Sequence, residues 1–139
     1  MPTYWDSTAL LNALTGQTGA ERLKAGDHVT RSHAFVEAFH HLTGLRGVPV
    51  IGGGRKGATP DDGARMVREL STKFKLRDLD LGELIHALED AGSRGVSGRM
   101  VHDWIHVRAA KLARAELILT LDKGLAGLAQ SEGLKAELP

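Results

Sequence analysis

The 139-residue chain contains no cysteine. Disulfides and thiolate zinc sites are therefore excluded, and the absence fits a reducing, cytoplasmic setting. Strong charge of either sign is also missing: 18 Lys and Arg stand against 17 Asp and Glu, a formal net charge of +1. Global charge gives no argument for nucleic acid, so any basic surface has to come from local clustering. No apolar run approaches the roughly 20 residues that span a bilayer. The opening "MPTYWDSTALL" has neither the basic stretch nor the long apolar stretch of a signal peptide. The glycine-rich stretch "GGGRKG" at residues 52–57 lacks the Gly-Lys-Ser/Thr ending of a phosphate loop, so nucleotide binding is not expected.

What is present is a globular composition, 42% hydrophobic and 25% charged. The length suits one domain with a sizeable core, and no internal repeat or linker divides residues 1–139. Strand and helix signals alternate. "PTYW" reads as a strand ending at the cap Asp6-Ser7-Thr8, and "STALLNALTG" as a helix closed by Gly16. "DHVTRS" is a second strand, and Ser32 is the expected cap of "HAFVEAFHHLTG". Residues 44–58 look irregular. Thr59-Pro60-Asp61-Asp62 then combines a cap, proline at the first helical position and acids at the positive dipole end.

Further on, "KFKLRDLD" reads as a strand and "LGELIHALEDAG" as a helix stopped by Gly92. "VSGRMVHDWIHVRAAKLARA" is the longest helix expected, followed by the strand "ELILTL", the short helix "KGLAGLAQSEG" and an edge strand "LKAEL". This alternation predicts a three-layer α/β/α fold around a mostly parallel sheet of four to five strands.

Ligands of open α/β sheets gather beyond the carboxyl ends of the strands. Asp6 and Asp122 each directly follow a strand, Glu37 lies in the helix after the second strand, and Asp103 is early in the helix leading into "ELILTL". Taken singly, each has an ordinary reading: Asp6 and Asp122 as caps or turn residues, Glu37 as a solvated helix position, Asp103 as a dipole-complementing acid. Jointly they place four acids at one sheet end. Two like charges ~4 Å apart repel by ~4 kcal/mol at an effective dielectric of 20, so such a cluster calls for a cation. Hard oxygen ligands without cysteine suit Mg2+ or Mn2+.

The same pieces, "DSTALL", the acid inside "SHAFVEA", "HDWIHVRAAKLA" and "LILTLDKGL", resemble the PIN-domain nucleases, and among them the VapC-type toxins of toxin–antitoxin pairs. The resemblance spans nearly the whole chain, in order, although "GVPVIGGGRKGATPDDG" matches no part of the pattern. It implies a metal-dependent endoribonuclease using Mg2+ or Mn2+, with Asp6, Glu37, Asp103 and Asp122 as catalytic and metal-holding residues. A hydroxide would become available near neutral pH and charge on the scissile phosphate would be stabilised. Thr120 and Ser7 would support them by hydroxyl hydrogen bonds, or serve as plain structural hydroxyls. Arg31, Arg99 and Arg108 are candidate phosphate contacts. Arg55 and Lys56 are either further RNA contacts or part of a solvated loop. The implied partners are RNA, a cognate antitoxin and a second copy of the chain, without direct DNA binding in the antitoxin's absence. Met66, Leu70, Leu84, Ile85 and Leu88 would supply the apolar dimer face, unless they face the sheet.

"VHDWIH" admits a rival reading, because His102 and His106 are spaced like a zinc-binding helix pair. The acid between them is aspartate rather than glutamate, and no third ligand is evident. The expectation is that both histidines lie beside Trp104 or on the surface, and that Asp103 is the working residue. Two alternatives stay open: a His-dependent metallo-hydrolase, and a PIN-like RNA-binding or RNA-processing protein with no toxin role.

Overall fold

A computed structural model of the chain describes residues 1–16, 18–44, 48–49 and 55–139. Seven strands and six α-helices follow one another among them: β1 (Thr3–Trp5), α1 (Ser7–Leu14), β2 (His28–Thr30), α2 (Ser32–Thr43), β3 (Val48–Pro49), β4 (Arg55–Lys56), α3 (Pro60–Ser71), β5 (Lys75–Leu76), α4 (Leu81–Ser93), α5 (Met100–Leu112), β6 (Leu117–Leu119), α6 (Lys123–Ser131) and β7 (Lys135–Glu137). A short 3-10 helix, Ala20–Lys24, precedes β2. None of the described helices is long and apolar enough to cross a membrane.

Five strands form one sheet in the order β5-β2-β1-β6-β7, every neighbouring pair parallel. Parallel neighbours require a crossover between them, and the helices supply it. Because side chains alternate across a strand, Tyr4 and Trp5 point to opposite faces. Tyr4 packs with Ile118, Val107, Ala109, Ala110, Leu125 and Ala129, under α5 and α6. Trp5 packs with Leu119, Ala9, Leu10, Ala34 and Ala38, under α1 and α2. A third cluster of Ala87, Ala91, Val96, Trp104 and Ile105 joins α4 to α5. The result is the three-layer α/β/α arrangement, with an all-parallel sheet at its centre.

Local chemistry explains most element ends. Asp6 and Asp122 cap α1 and α6, Thr59 caps α3 ahead of Pro60, and Asp80 with Glu83 closes a capping box on α4. The hydrogen bonds from Arg77 and from the Asp80 backbone hold the Glu83 carboxyl down at about 2. Three expectations are corrected. Ser32 is the first residue of α2 rather than its cap. Its N–H and hydroxyl instead donate to Asp78 Oδ1 at 2.7 and 2.9 Å, so the cap comes from the β5–α4 connection. Gly92 does not stop α4, which continues to Ser93 and turns at Gly95, where φ is +70°. The long helix begins only at Met100, since Gly98 takes a left-handed φ of +62°.

Within the stretch that reads as irregular, β3 and β4 pair in antiparallel fashion, Val48 with Lys56 and Pro49 with Arg55. Gly57 then passes so close to the end of α2 that a Cβ there would lie 2.6 Å from the Thr43 carbonyl oxygen and 2.8 Å from that of Gly44. The last glycine of that stretch is therefore there for close backbone approach.

Trp5 also fixes a buried histidine. An indole N–H only donates, so His28 Nδ1, 3.1 Å away, accepts, and His28 Nε2–H donates to the Ala25 carbonyl at 2.8 Å. Trp5→Phe should leave Nδ1 an unpaired buried acceptor and open space beside Phe74. A loss of about 2–4 kcal/mol is expected, read as a lowered denaturant midpoint with an unchanged slope.

Candidate active site

The parallel sheet brings the carboxyl ends of β1, β2 and β6 side by side; Asp6 and Asp122 come shortly after β1 and β6, and Glu37 and Asp103 come from α2 and α5. Asp6 follows β1 and is only 2% exposed. Its Oδ1 accepts from the Ala9 N–H at 2.9 Å and the Thr8 hydroxyl at 2.7 Å, and its Oδ2 accepts from the Thr120 hydroxyl. Burial nevertheless outweighs these donors and pushes the Asp6 carboxyl above the usual range.

Thr120 ties β1 to β6. Besides donating to Asp6, its hydroxyl accepts the Asp122 N–H at 2.9 Å. Thr8 makes a second tie, since its oxygen accepts the Leu121 N–H at 2.9 Å. The sequence points to Ser7 as the supporting hydroxyl of this turn. Ser7 is buried in the first turn of α1, and the hydroxyl that reaches Asp6 is that of Thr8, one residue on. The pair Ser7-Thr8 carries two hydroxyls, and the sequence does not rank them.

Asp122 uses Oδ1 to cap α6, accepting from Gly124 N–H at 2.8 Å and Leu125 N–H at 3.1 Å. A Cβ on Gly124 would lie 3.2 Å from Asp122 Oδ1 and 3.9 Å from Asp103 Oδ2. Asp103 and Asp122 thus flank the same spot at the start of α6. Burial, followed by the negative charges of Asp122, Asp6 and Glu37, raises the Asp103 carboxyl, with only His106 acting against them. Asp103 thus feels the charge of all three other acids.

Glu37, on α2, behaves differently. Burial works to raise its carboxyl, but the hydrogen bond from His106, with the neighbouring His33 and Arg31, outweighs burial and holds it below the usual range. His106 Nε2 lies 3.3 Å from Glu37 Oε1, and His106 Nδ1 lies 2.8 Å from the Tyr4 hydroxyl. His106 is 3% exposed, whereas His102 is on the surface. The two helical histidines therefore do not form a pair. The sequence places His106 beside Trp104 or on the surface. A signal existed: His106 is three residues after Asp103, on the same helical face, and Tyr4 is two before Asp6, on the same side of β1.

The basic candidates divide. Arg31 is half-buried and its charge acts on Glu37 and Tyr4. Arg99 and Lys56 are exposed. Arg108 pairs with Asp90 at 2.9 Å and stacks over Trp104, so its guanidinium is already engaged. The Arg55 side chain lies outside the described residues.

Among the described residues, no group of three or more histidine and acidic side chains is already arranged to hold a metal ion. The donors are nonetheless hard oxygens, and Asp103 is held near like charge. That combination fits a hydrated Mg2+, which keeps several waters and needs only one or two direct carboxylates. Asp103 and Asp122 are the residues placed to provide them.

No family model and no curated protein matches the chain. Among solved structures, the fold is similar to that in the crystal structure of PAE2754 from Pyrobaculum aerophilum. The two are 15% identical, with a TM-score of 0.66 over 98% of this chain and 89% of the other. At that identity the likeness is one of fold.

The raised Asp103 carboxyl has a consequence for stability. Folded Asp103 binds its proton more readily than the unfolded residue, so its ionisation opposes folding above the folded pKa. The penalty vanishes once pH falls below the unfolded value, where both states are protonated. Asp103→Asn without metal should therefore melt at the same or a higher temperature than wild type near pH 7.5. The advantage should shrink toward about pH 3, as followed by circular dichroism across pH.

Proposed function

We propose that this protein is a metal-dependent endoribonuclease of PIN-domain type, acting in the cytoplasm as the toxin of a toxin–antitoxin pair. The observation that carries the reading is the convergence of negative charge from Asp122, Asp6 and Glu37 on Asp103, at one end of the parallel sheet. Folds do not specify chemistry, so the reading rests on these residues and on the sequence pattern that contains them.

In this account Asp103 and Asp122, which flank the start of α6, would hold Mg2+ or Mn2+. The cation supplies charge stabilisation at the phosphate and Lewis acidity toward water. Asp6 is held in place by Thr8, Thr120 and the Ala9 N–H, and a bound cation would favour its ionised form. Glu37 faces the same space from α2 and orients a water. Arg31, whose charge acts on Glu37 and Tyr4, is assigned to a substrate phosphate, with Arg99 and Lys56 as outer contacts.

Cleavage of single-stranded RNA by the purified protein should require added Mg2+ or Mn2+ and stop with excess chelator. Asp103→Asn and Asp122→Asn should each lose about 100-fold or more. In cells, expression of wild type alone should arrest growth, and Asp6→Asn should relieve the arrest while remaining folded. Cleavage undiminished in chelator would overturn the mechanism.

The proposed partners are an antitoxin and a second copy of the chain. Of the apolar positions assigned to the dimer, Ile85 and Leu88 are 47% and 41% exposed on α4, with Leu81 on the same face at 74%. Leu70 and Leu84 pack inward instead, against the Trp5 and Trp104 clusters. A symmetric pairing through α4 would cover the exposed face. Ile85→Glu with Leu88→Glu should convert a dimer to a monomer in light scattering at micromolar concentration. An unchanged mass in the double variant would count against α4 as the interface.

A further inference from the structure

His106 stands outside every role assigned so far, although it is among the most deeply buried polar residues of the chain. It joins three elements: α5, on which it sits, β1 through the Tyr4 hydroxyl, and α2 through Glu37. Both ring nitrogens are engaged, and the ring is 3% exposed. A group so enclosed does not reach a substrate, which argues against acid–base chemistry by the ring itself.

The partners assign the hydrogens. An ionised carboxylate only accepts, so Nε2 carries the hydrogen that faces Glu37 Oε1. The Tyr4 hydroxyl, protonated as a phenol ordinarily is near neutral pH, lies 2.8 Å from Nδ1 and can donate to it. The chain of bonds then runs in one direction, from Tyr4 O–H to Nδ1 and from Nε2–H to Glu37.

We propose that His106 is a positioning residue that clamps Glu37 through Oε1 alone, so that Glu37 meets a cation or its water with a single oxygen, Oε2. The consequence for activity rests on the nuclease reading above, but the clamp itself does not. A long glutamate side chain would otherwise divide its time among rotamers. Fixing one oxygen removes that freedom and prevents two-oxygen capture of an ion by Glu37, leaving the direct ligands to Asp103 and Asp122. Hydrogen-bond partners of ligating carboxylates commonly matter to metal affinity or activity by 10–100-fold.

The test uses the full chain and two readouts. In the metal-free protein, 15N spectra of the His106 ring should show a hydrogen on Nε2 and none on Nδ1, with Glu37→Gln shifting the Nε2 signal more than the Nδ1 signal. A hydrogen on Nδ1 with a bare Nε2 would overturn the clamp, whatever the protein does with RNA. Next, Mn2+ is titrated calorimetrically into wild type and variants that circular dichroism shows to be folded. His106→Leu should weaken Mn2+ by about 10–100-fold. His106→Gln, whose amide N–H reaches toward the Nε2 position, should stay within several-fold of wild type. In a Glu37→Gln background, His106→Leu should add almost nothing, because its effect passes through Glu37. Equal losses in both backgrounds, or wild-type affinity in His106→Leu, would overturn the proposal. A wild type that takes up no Mn2+ would refute the nuclease reading, and the ring spectrum would then decide the clamp by itself.

Discussion

Several carboxylates meet at one end of a sheet whose central strands are almost wholly buried, and like charge in that setting has to be compensated. A hydrogen bond to a charged group contributes about 1.5–3 kcal/mol. Repulsion between neighbouring unit charges amounts to ~4 kcal/mol at ~4 Å for an effective dielectric of 20. Asp6 receives three donors, two hydroxyls and a backbone N–H, and yet its carboxyl remains raised. Asp103 is raised as well, by burial and three negative neighbours, with His106 acting against them. A whole domain is stable by only 5–15 kcal/mol or so, so an uncompensated cluster of this kind is a substantial cost. Carboxyls raised by burial and like charge concentrate at functional sites.

The two ways of reading Asp6 and Asp122, as helix caps or as site acids, are not exclusive. Each does cap a helix, and each does so through Oδ1. The capping bond fixes the carboxylate at the strand end and so aims the second oxygen. Thr120 and Thr8 then lock β1 to β6 through their side chains, in addition to the ladder between Tyr4 and Ile118. The same few bonds that end the strands also build the site. Loss of Thr120 would be felt by both acids at once.

Much of the fold was legible because its signals are local. Asp6-Ser7-Thr8 and Thr59-Pro60 mark helix starts by capping chemistry, and the apolar runs "TYW" and "LIL" mark central strands. The departures come from tertiary contacts. Asp78 reaches across 46 positions to cap α2, a partnership invisible to local pattern. β5 keeps only two residues of the longer strand signal, and its Lys75 and Leu76 are exposed at the sheet edge. Of the site, the placement of the acids followed from strand-end reasoning. The Tyr4–His106–Glu37 chain did not, because His106 Nδ1 and the Tyr4 hydroxyl are 102 residues apart in sequence. Helical spacing alone set His106 beside His102, whereas packing buries one and exposes the other.

The central claim is that opposed carboxylates at this sheet end are there to receive a divalent cation. Its most direct test is electron paramagnetic resonance of Mn2+ added to metal-free wild type, Asp103→Asn and Asp122→Asn, with all three proteins shown to be folded. The account expects the free Mn2+ signal to fall on binding to wild type and to persist with either variant. Equal uptake by all three proteins, or no uptake by wild type at millimolar Mn2+, would contradict it.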